Sequence, residues 1–267
     1  MGKNKRWGLA VGLGMLALTA TAAPNLSDPA LQDYIAGNRY SGYIVSTPET
    51  RTMQDDDFEN PGFMWVDRGW ELWGEADGKA GKSCASCHSG DPESLKGVAT
   101  RYPQVMGSGL VTVEHRINQC RRMNMQAEEW KWESDEMLGM SALVRLQSRG
   151  MPIDVKIDGE AKRFYKQGEE FYRQRRGVLD LACYHCHELN HGKNVRSDLL
   201  SMGMPNGFPT YRLKWQKIGS LHRRFRGCNK NIRSEPHKAG SPVYTALELY
   251  LMSRAKGLPI ESPSVRK

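Results

Sequence analysis

Two pentads hold the densest chemistry of the chain, Cys84-Ala85-Ser86-Cys87-His88 and Cys183-Tyr184-His185-Cys186-His187. Both have the form C-x-x-C-H. Two thiols three residues apart can form thioethers to the two vinyl groups of a haem, and the imidazole that follows is aimed at the iron as proximal ligand. Dithiol redox sites and zinc sites share the C-x-x-C core, but neither calls for a histidine immediately after it, twice. The spacing predicts two covalently bound c-type haems. Cys84 and Cys87 would hold the first, with His88 on its iron; Cys183 and Cys186 would hold the second, with His187 on its iron.

Six cysteines are present, so Cys120 and Cys228 are left over. Cys120 lies 32 residues after His88 and Cys228 lies 41 after His187, each with an arginine four residues ahead, Arg116 and Arg224. Methionines such as Met106, Met123, Met125, Met202 and Met204 do not recur at equivalent places in the two halves, whereas the cysteines do. Thiolate ligation of both irons follows, and an anionic thiolate lowers the reduction potential below that of a His/Met site. The alternative is a Cys120–Cys228 disulfide, common in exported proteins. His115 and His222 lie near the two cysteines and are the substitute ligands if the thiols do not serve.

The surroundings of Cys228 are basic: Arg223, Arg224, Arg226, Lys230 and Arg233 lie within a few residues, and Arg212 adds one from upstream. Cations lower a thiol's pKa and gather anions, and an arginine at i−4 shares a helical face with the cysteine. A thiolate acting on an oxyanion needs that combination. A solvated or partner-facing basic surface is the plainer reading of the same charge run. Gly227 would permit a close backbone approach beside the thiol.

The elements that position these groups repeat. Gly69-Trp70-Glu71-Leu72-Trp73 and Gly168-Glu169-Glu170-Phe171-Tyr172 each begin 15 residues ahead of a first haem cysteine. Ala142-Leu143-Val144-Arg145-Leu146 runs to Gly150-Met151-Pro152-Ile153, and Ala246-Leu247-Glu248-Leu249-Tyr250-Leu251 runs to Gly257-Leu258-Pro259-Ile260. A period of about 100 residues means two domains. Helical spacing of the apolar residues, with Gly and Pro as stops and no long alternating run, gives helix, haem site, long loop and helix in each half. The expected fold is all-α: two tandem cytochrome c domains, each built around one haem, with an N-terminal extension. Residues 1–22 read as a signal peptide, 23–62 as the extension, 63–156 as the first domain and 157–267 as the second, catalytic one. With the haem filling much of a small core, deleting an attachment cysteine should prevent folding.

Composition bounds the setting. The 267 residues are 39% hydrophobic and 25% charged, an ordinary globular balance. Lys3, Lys5 and Arg6 precede an apolar stretch from Trp7 to Leu18 and the small residues Ala20-Thr21-Ala22, the pattern of a secretory signal. Cleavage after Ala22 removes three of the charges behind the formal +8 and leaves +5. Two propionates per haem contribute about four negative charges, so the finished molecule is near neutral and a nucleic-acid role loses its support. No later apolar run reaches the roughly 18 residues of a membrane span. The expected location is the periplasm.

With these residues in view, the chain resembles the SoxA family, the dihaem cytochrome c subunits of the L-cysteine S-thiosulfotransferase of bacterial sulfur oxidation. Similar to that family are Met53-Gln54-Asp55-Asp56-Asp57-Phe58 with Asn60-Pro61-Gly62, both C-x-x-C-H sites, Asn206-Gly207-Phe208-Pro209 with Tyr211-Arg212-Leu213, and the run from Arg224 to Asn229. The resemblance implies that Cys228 is the catalytic cysteine, carrying a persulfide and ligating the second haem, with Arg224 binding the substrate anion and Cys120 on the first haem. It implies that thiosulfate is joined to a cysteine of the carrier SoxY of the SoxYZ complex, with two electrons passed to a cytochrome c. The implied partner is SoxX, a small monohaem cytochrome c forming a heterodimer. The competing function is a non-catalytic dihaem electron-transfer cytochrome c.

Overall fold

The computed structural model describes residues 26–195 and 197–267. The segment read as a signal peptide lies outside the described residues. Helix α1 (Pro48–Asp55) starts on the Thr47 hydroxyl, which accepts from the Thr50 N–H, and on Pro48, whose fixed φ suits the first helical position. α2 (Phe63–Gly74) leads to the first haem motif, and α3 (Val113–Cys120) and α4 (Asp135–Leu146) follow it. The second half repeats this order with α5 (Ala161–Arg173), α6 (Cys183–His187) on the second motif, α7 (Leu221–Asn231) and α8 (Pro242–Arg254). Thr112, Ser134, Ser220 and Ser241 cap α3, α4, α7 and α8, each side-chain oxygen accepting a backbone N–H of the first turn.

The glycine 15 residues ahead of each haem cysteine marks a helix crossing. A Cβ on Gly69 of α2 would stand 2.6 Å from the carbonyl oxygen of Gly139 on α4, and one on Gly168 of α5 would stand 2.1 Å from that of Ala246 on α8. Backbones approach that closely only where no side chain intervenes. The crossing sets Gly139, rather than Ala142, as the counterpart of Ala246. Gly150 and Gly257 then turn the chain at φ +79° and +88°. Beyond them the two equivalent tails pair with each other. Gly150 N–H donates to Ile260 O at 2.9 Å, Ile260 N–H to Met151 O at 2.9 Å, and Ile153 N–H to Leu258 O at 2.9 Å.

The all-α expectation is corrected by short strands. β1 (Ile35–Ala36) pairs with β2 (Arg39–Tyr40), β3 (Gln104–Met106) with β4 (Gly109–Val111), and β5 (Asn194–Val195) with β6 (Asp198–Leu199), all antiparallel. β7 (Thr210–Arg212) lies between β8 (Lys217–Gly219), antiparallel, and β9 (Ser264–Arg266), parallel. Strands of two or three residues are too short to display alternation, and β9 joins β7 only after α7 and α8 intervene. The helical framework remains dominant.

Each half has its own apolar core. Val66, Leu72, Trp73, Leu138 and Leu143 form the first; Phe171, Tyr172, Phe225, Tyr244 and Leu247 form the second. A third cluster joins Leu31, Tyr40, Tyr43 and Ile44 of the N-terminal segment to Met202, Met204, Leu249, Met252 and Ile260. Among the described residues no helix is long and apolar enough to cross a membrane.

Candidate active site and haem-binding residues

α7 brings Arg224 and Cys228 one helical turn apart, and the loop after α6 holds His187 toward them. His187 Nδ1 lies 2.8 Å from the Ser201 carbonyl oxygen. A carbonyl only accepts, so Nδ1 donates to Ser201 and Nε2 is the nitrogen left to face Cys228. Gly203 lets the loop lie flat on the ring: its φ is +71°, and a Cβ there would stand 2.9 Å from His187 Cγ. Met202 and Met204 are buried in the third core cluster, which gives them a packing role.

The thiol of Cys228 is unusual among the six. Burial alone would push it up, but Arg224, a hydrogen bond with His187, the charge of that ring and Arg212 outweigh burial and bring it down to about 7. Cys183, buried in the same half, is pushed up to about 11 even with Arg176 beside it. Of the basic run, Arg226, Lys230 and Arg233 are exposed, and Arg223 lies over Trp215 at 4.3 Å. The cations acting on Cys228 are Arg224 and, from β7, Arg212. Arg212 donates through Nε to the Lys267 backbone oxygen at 2.9 Å. Burial first, then Arg224, lowers its own pKa to about 10. Sequence spacing offered Arg212 only as a sixth charge; the parallel pairing of β7 with β9 is what holds it there.

The first half has the same residues in a different state. Cys84, His88 and Cys120 line one apolar cleft with Trp73, Val113 and Met140. Burial, then Arg116, lowers the His88 pKa, so the ring stays neutral and able to donate a lone pair. Burial also pushes up Cys120, against Arg116, and Cys84, which rises to about 11. Cys120 is the last residue of α3 and a π-helical turn, Arg121–Met125, begins directly after it; Cys228 sits within α7. The two R-x-x-x-C motifs are alike in sequence and unlike in electrostatics.

No disulfide joins any of the six cysteines. Cys120 has Cys87 and Cys84 as sulfur neighbours and Cys228 has Cys183 and Cys186, so the two leftover thiols belong to separate halves. The disulfide alternative has no geometry here. Each half sets a C-x-x-C pair, an imidazole and an opposing thiol together, a donor set that fits a covalently held haem. His115 and His222 turn elsewhere. His115 Nε2 lies 3.1 Å from Gly240 O, and His222 Nδ1 accepts from Gly240 N–H at 2.9 Å. Gly227 faces open space, with no approach of backbone from within the chain.

Comparison with known proteins meets this geometry. Residues 68–153 match the family described as SoxA/TsdA, cytochrome c domain. The chain is 44% identical over 228 residues to the L-cysteine S-thiosulfotransferase subunit SoxA of Rhodovulum sulfidophilum, covering 85% of this chain and 79% of that one. It is 45% identical over 229 residues to the subunit of the same name from Paracoccus pantotrophus, with the same coverage. The chain belongs to the SoxA family. The crystal structure of SoxXA from P. pantotrophus superposes with a TM-score of 0.84 at 44% identity, covering 92% of each chain. As a SoxA family member it carries a cytochrome c domain, the fold that binds haem c covalently.

Proposed function

We propose that this chain is the dihaem subunit of an L-cysteine S-thiosulfotransferase, the activity for which its relatives are named. In this reading residues 1–22 direct export to the periplasm, 23–62 form an extension, and 63–156 and 157–267 are two cytochrome c domains. Cys84 and Cys87 hold the first haem with His88 and Cys120 as iron ligands. Cys183 and Cys186 hold the second with His187 and Cys228. The partner is a SoxX-type monohaem subunit, in keeping with the SoxXA structure it resembles.

Arg224 and Arg212 attract the thiosulfate dianion, and Arg224 orients it by charge-assisted hydrogen bonds against the sulfur carried by Cys228. Cys228 carries that sulfur as a persulfide. His187, fixed by Ser201, keeps its Nε2 toward the same place. In the net reaction the outer sulfur of thiosulfate bonds to a cysteine of a SoxYZ-type carrier. The carrier thiol releases one proton, and two electrons leave for a cytochrome c acceptor. A bound haem supplies the one-electron steps that sulfur chemistry in pairs requires.

The observation that carries this reading is geometric: α7 sets Arg224 one turn from Cys228, with Arg212 and His187 facing the same thiol, whereas Cys120 has Arg116 alone beside it. Replacing Cys228 by Ala should abolish thiosulfate conjugation with both haems still attached by mass. Full turnover in that variant would reduce the chain to a dihaem electron carrier.

A further inference from the structure

The N-terminal turn of α7 is clamped by residues of the first half. His222, 1% exposed, stands six residues before Cys228, about 9 Å along the helix axis. Its Nδ1 accepts from Gly240 N–H, and its Nε2 stands 3.1 Å from Glu248 Oε2 on α8. Glu248 in turn lies 3.3 Å from Arg145 on α4, which lies 3.5 Å from Glu114 on α3. All four side chains are buried. Trp132, in the loop before α4, stacks on His222 at 4.9 Å and 9°, and meets His115 of α3 edge-on at 4.8 Å. Glu133 accepts a hydrogen bond from the Ser220 cap of α7.

Burying an arginine, two carboxylates and a histidine costs several kcal/mol per ion before pairing, and well-packed apolar residues usually do as well. What such a network does supply is a fixed geometry between the elements it joins. It joins the helix bearing Cys120 to the helix bearing Cys228, through α4 and α8. Arg224 and Cys228 move together on α7, whereas His187 and Arg212 belong to other elements. A small rotation of α7 thus leaves the Arg224–Cys228 relation intact and displaces Cys228 from His187.

We propose that His222 is a positioning residue through which the first half sets α7 against His187. This inference rests on the reading of Cys228 as the reacting thiol opposite His187. It gives the first half a task in the second half's chemistry apart from electron transfer.

The test uses the haem-loaded complex with its monohaem partner and three variants. His222→Asn keeps an acceptor for Gly240 N–H but cannot reach Glu248; His222→Gln keeps the reach to Glu248. The Asn variant should show a shifted or split low-spin resonance for the second haem, and a kcat about tenfold lower with KM for thiosulfate changed less than about threefold. The Gln variant should restore the resonance and bring kcat to within about twofold of the parent. A parental resonance and kcat in the Asn variant, with only a lowered Tm, would overturn the proposal. If that variant does not fold, Trp132→Leu, which removes the aromatic face stacked on His222, replaces it; a shifted resonance supports the proposal and an unshifted one overturns it. Should the parent complex conjugate no thiosulfate, the proposed function fails, and the resonances still decide the role of His222.

Discussion

Gly168 of α5 lies so close under Ala246 of α8 that a Cβ on the glycine would come within 2.1 Å of the Ala246 carbonyl oxygen. The crossing leaves no room to yield, because the obstructing atom is backbone rather than the end of a flexible side chain. Gly168→Ala should destabilise the second half by about 3 kcal/mol, the upper part of the range for overpacking. Urea unfolding followed by circular dichroism reads the change, and an unchanged midpoint would mean that the helices can separate.

Arg224 and Arg116 make an internal control. Removing a charge-assisted hydrogen bond to a substrate anion costs about 1.5–3 kcal/mol, so Arg224→Ala should lower kcat/KM for thiosulfate by roughly 10- to 100-fold. Arg116→Ala, at the equivalent place in the first half, should leave it within about twofold of the parent. Steady-state kinetics on the two variants side by side separate a local contact from a general field effect.

Gly203 supports His187 with its ring against the loop. A methyl group there would stand 2.9 Å from His187 Cγ, on a residue whose φ is +71°. On the proposed attachment, Gly203→Ala should displace the imidazole while leaving the haem on Cys183 and Cys186. Intact mass should show both haems, and electron paramagnetic resonance should show an altered low-spin species from the second half alone.

Glu133 carries a pH signature. Burial raises its pKa, although hydrogen bonds from Ser220 and the charge of Arg223 work in the other direction. The folded chain thus holds this proton more tightly than the unfolded one, and the charged form is penalised as pH rises from the unfolded value, about 4.3, through the folded one. Glu133→Gln should match the parent in stability below pH 4 and exceed it at neutral pH. Tm measured for both proteins across that window checks the sign; a difference that grows on acidification would contradict it.

The two C-x-x-C-H motifs stand out in the sequence because covalent haem attachment demands a fixed local spacing. The repeat was legible for the same reason, since Gly69 and Gly168 answer one steric need at one distance from the motif. What could not be read comes from distant pieces of chain. Arg212 reaches Cys228's surroundings because β7 pairs with β9, and His222 is withdrawn from metal by Gly240, Glu248 and Trp132, none of which is a local neighbour. The difference between Cys120 and Cys228 escaped the motif too: identical spacing says nothing about burial or about a hydrogen bond from His187. The short strands left no periodic trace, so the helical reading was right in its framework and incomplete at its edges.

The tails after Gly150 and Gly257 lie against each other rather than along their own halves. A chimaera taking its front from one relative and its rear from another must therefore match at this seam, however carefully the splice point is chosen. Compatibility between parents would be decided by Met151, Ile153, Leu258 and Ile260, four positions that bear no cysteine, histidine or arginine.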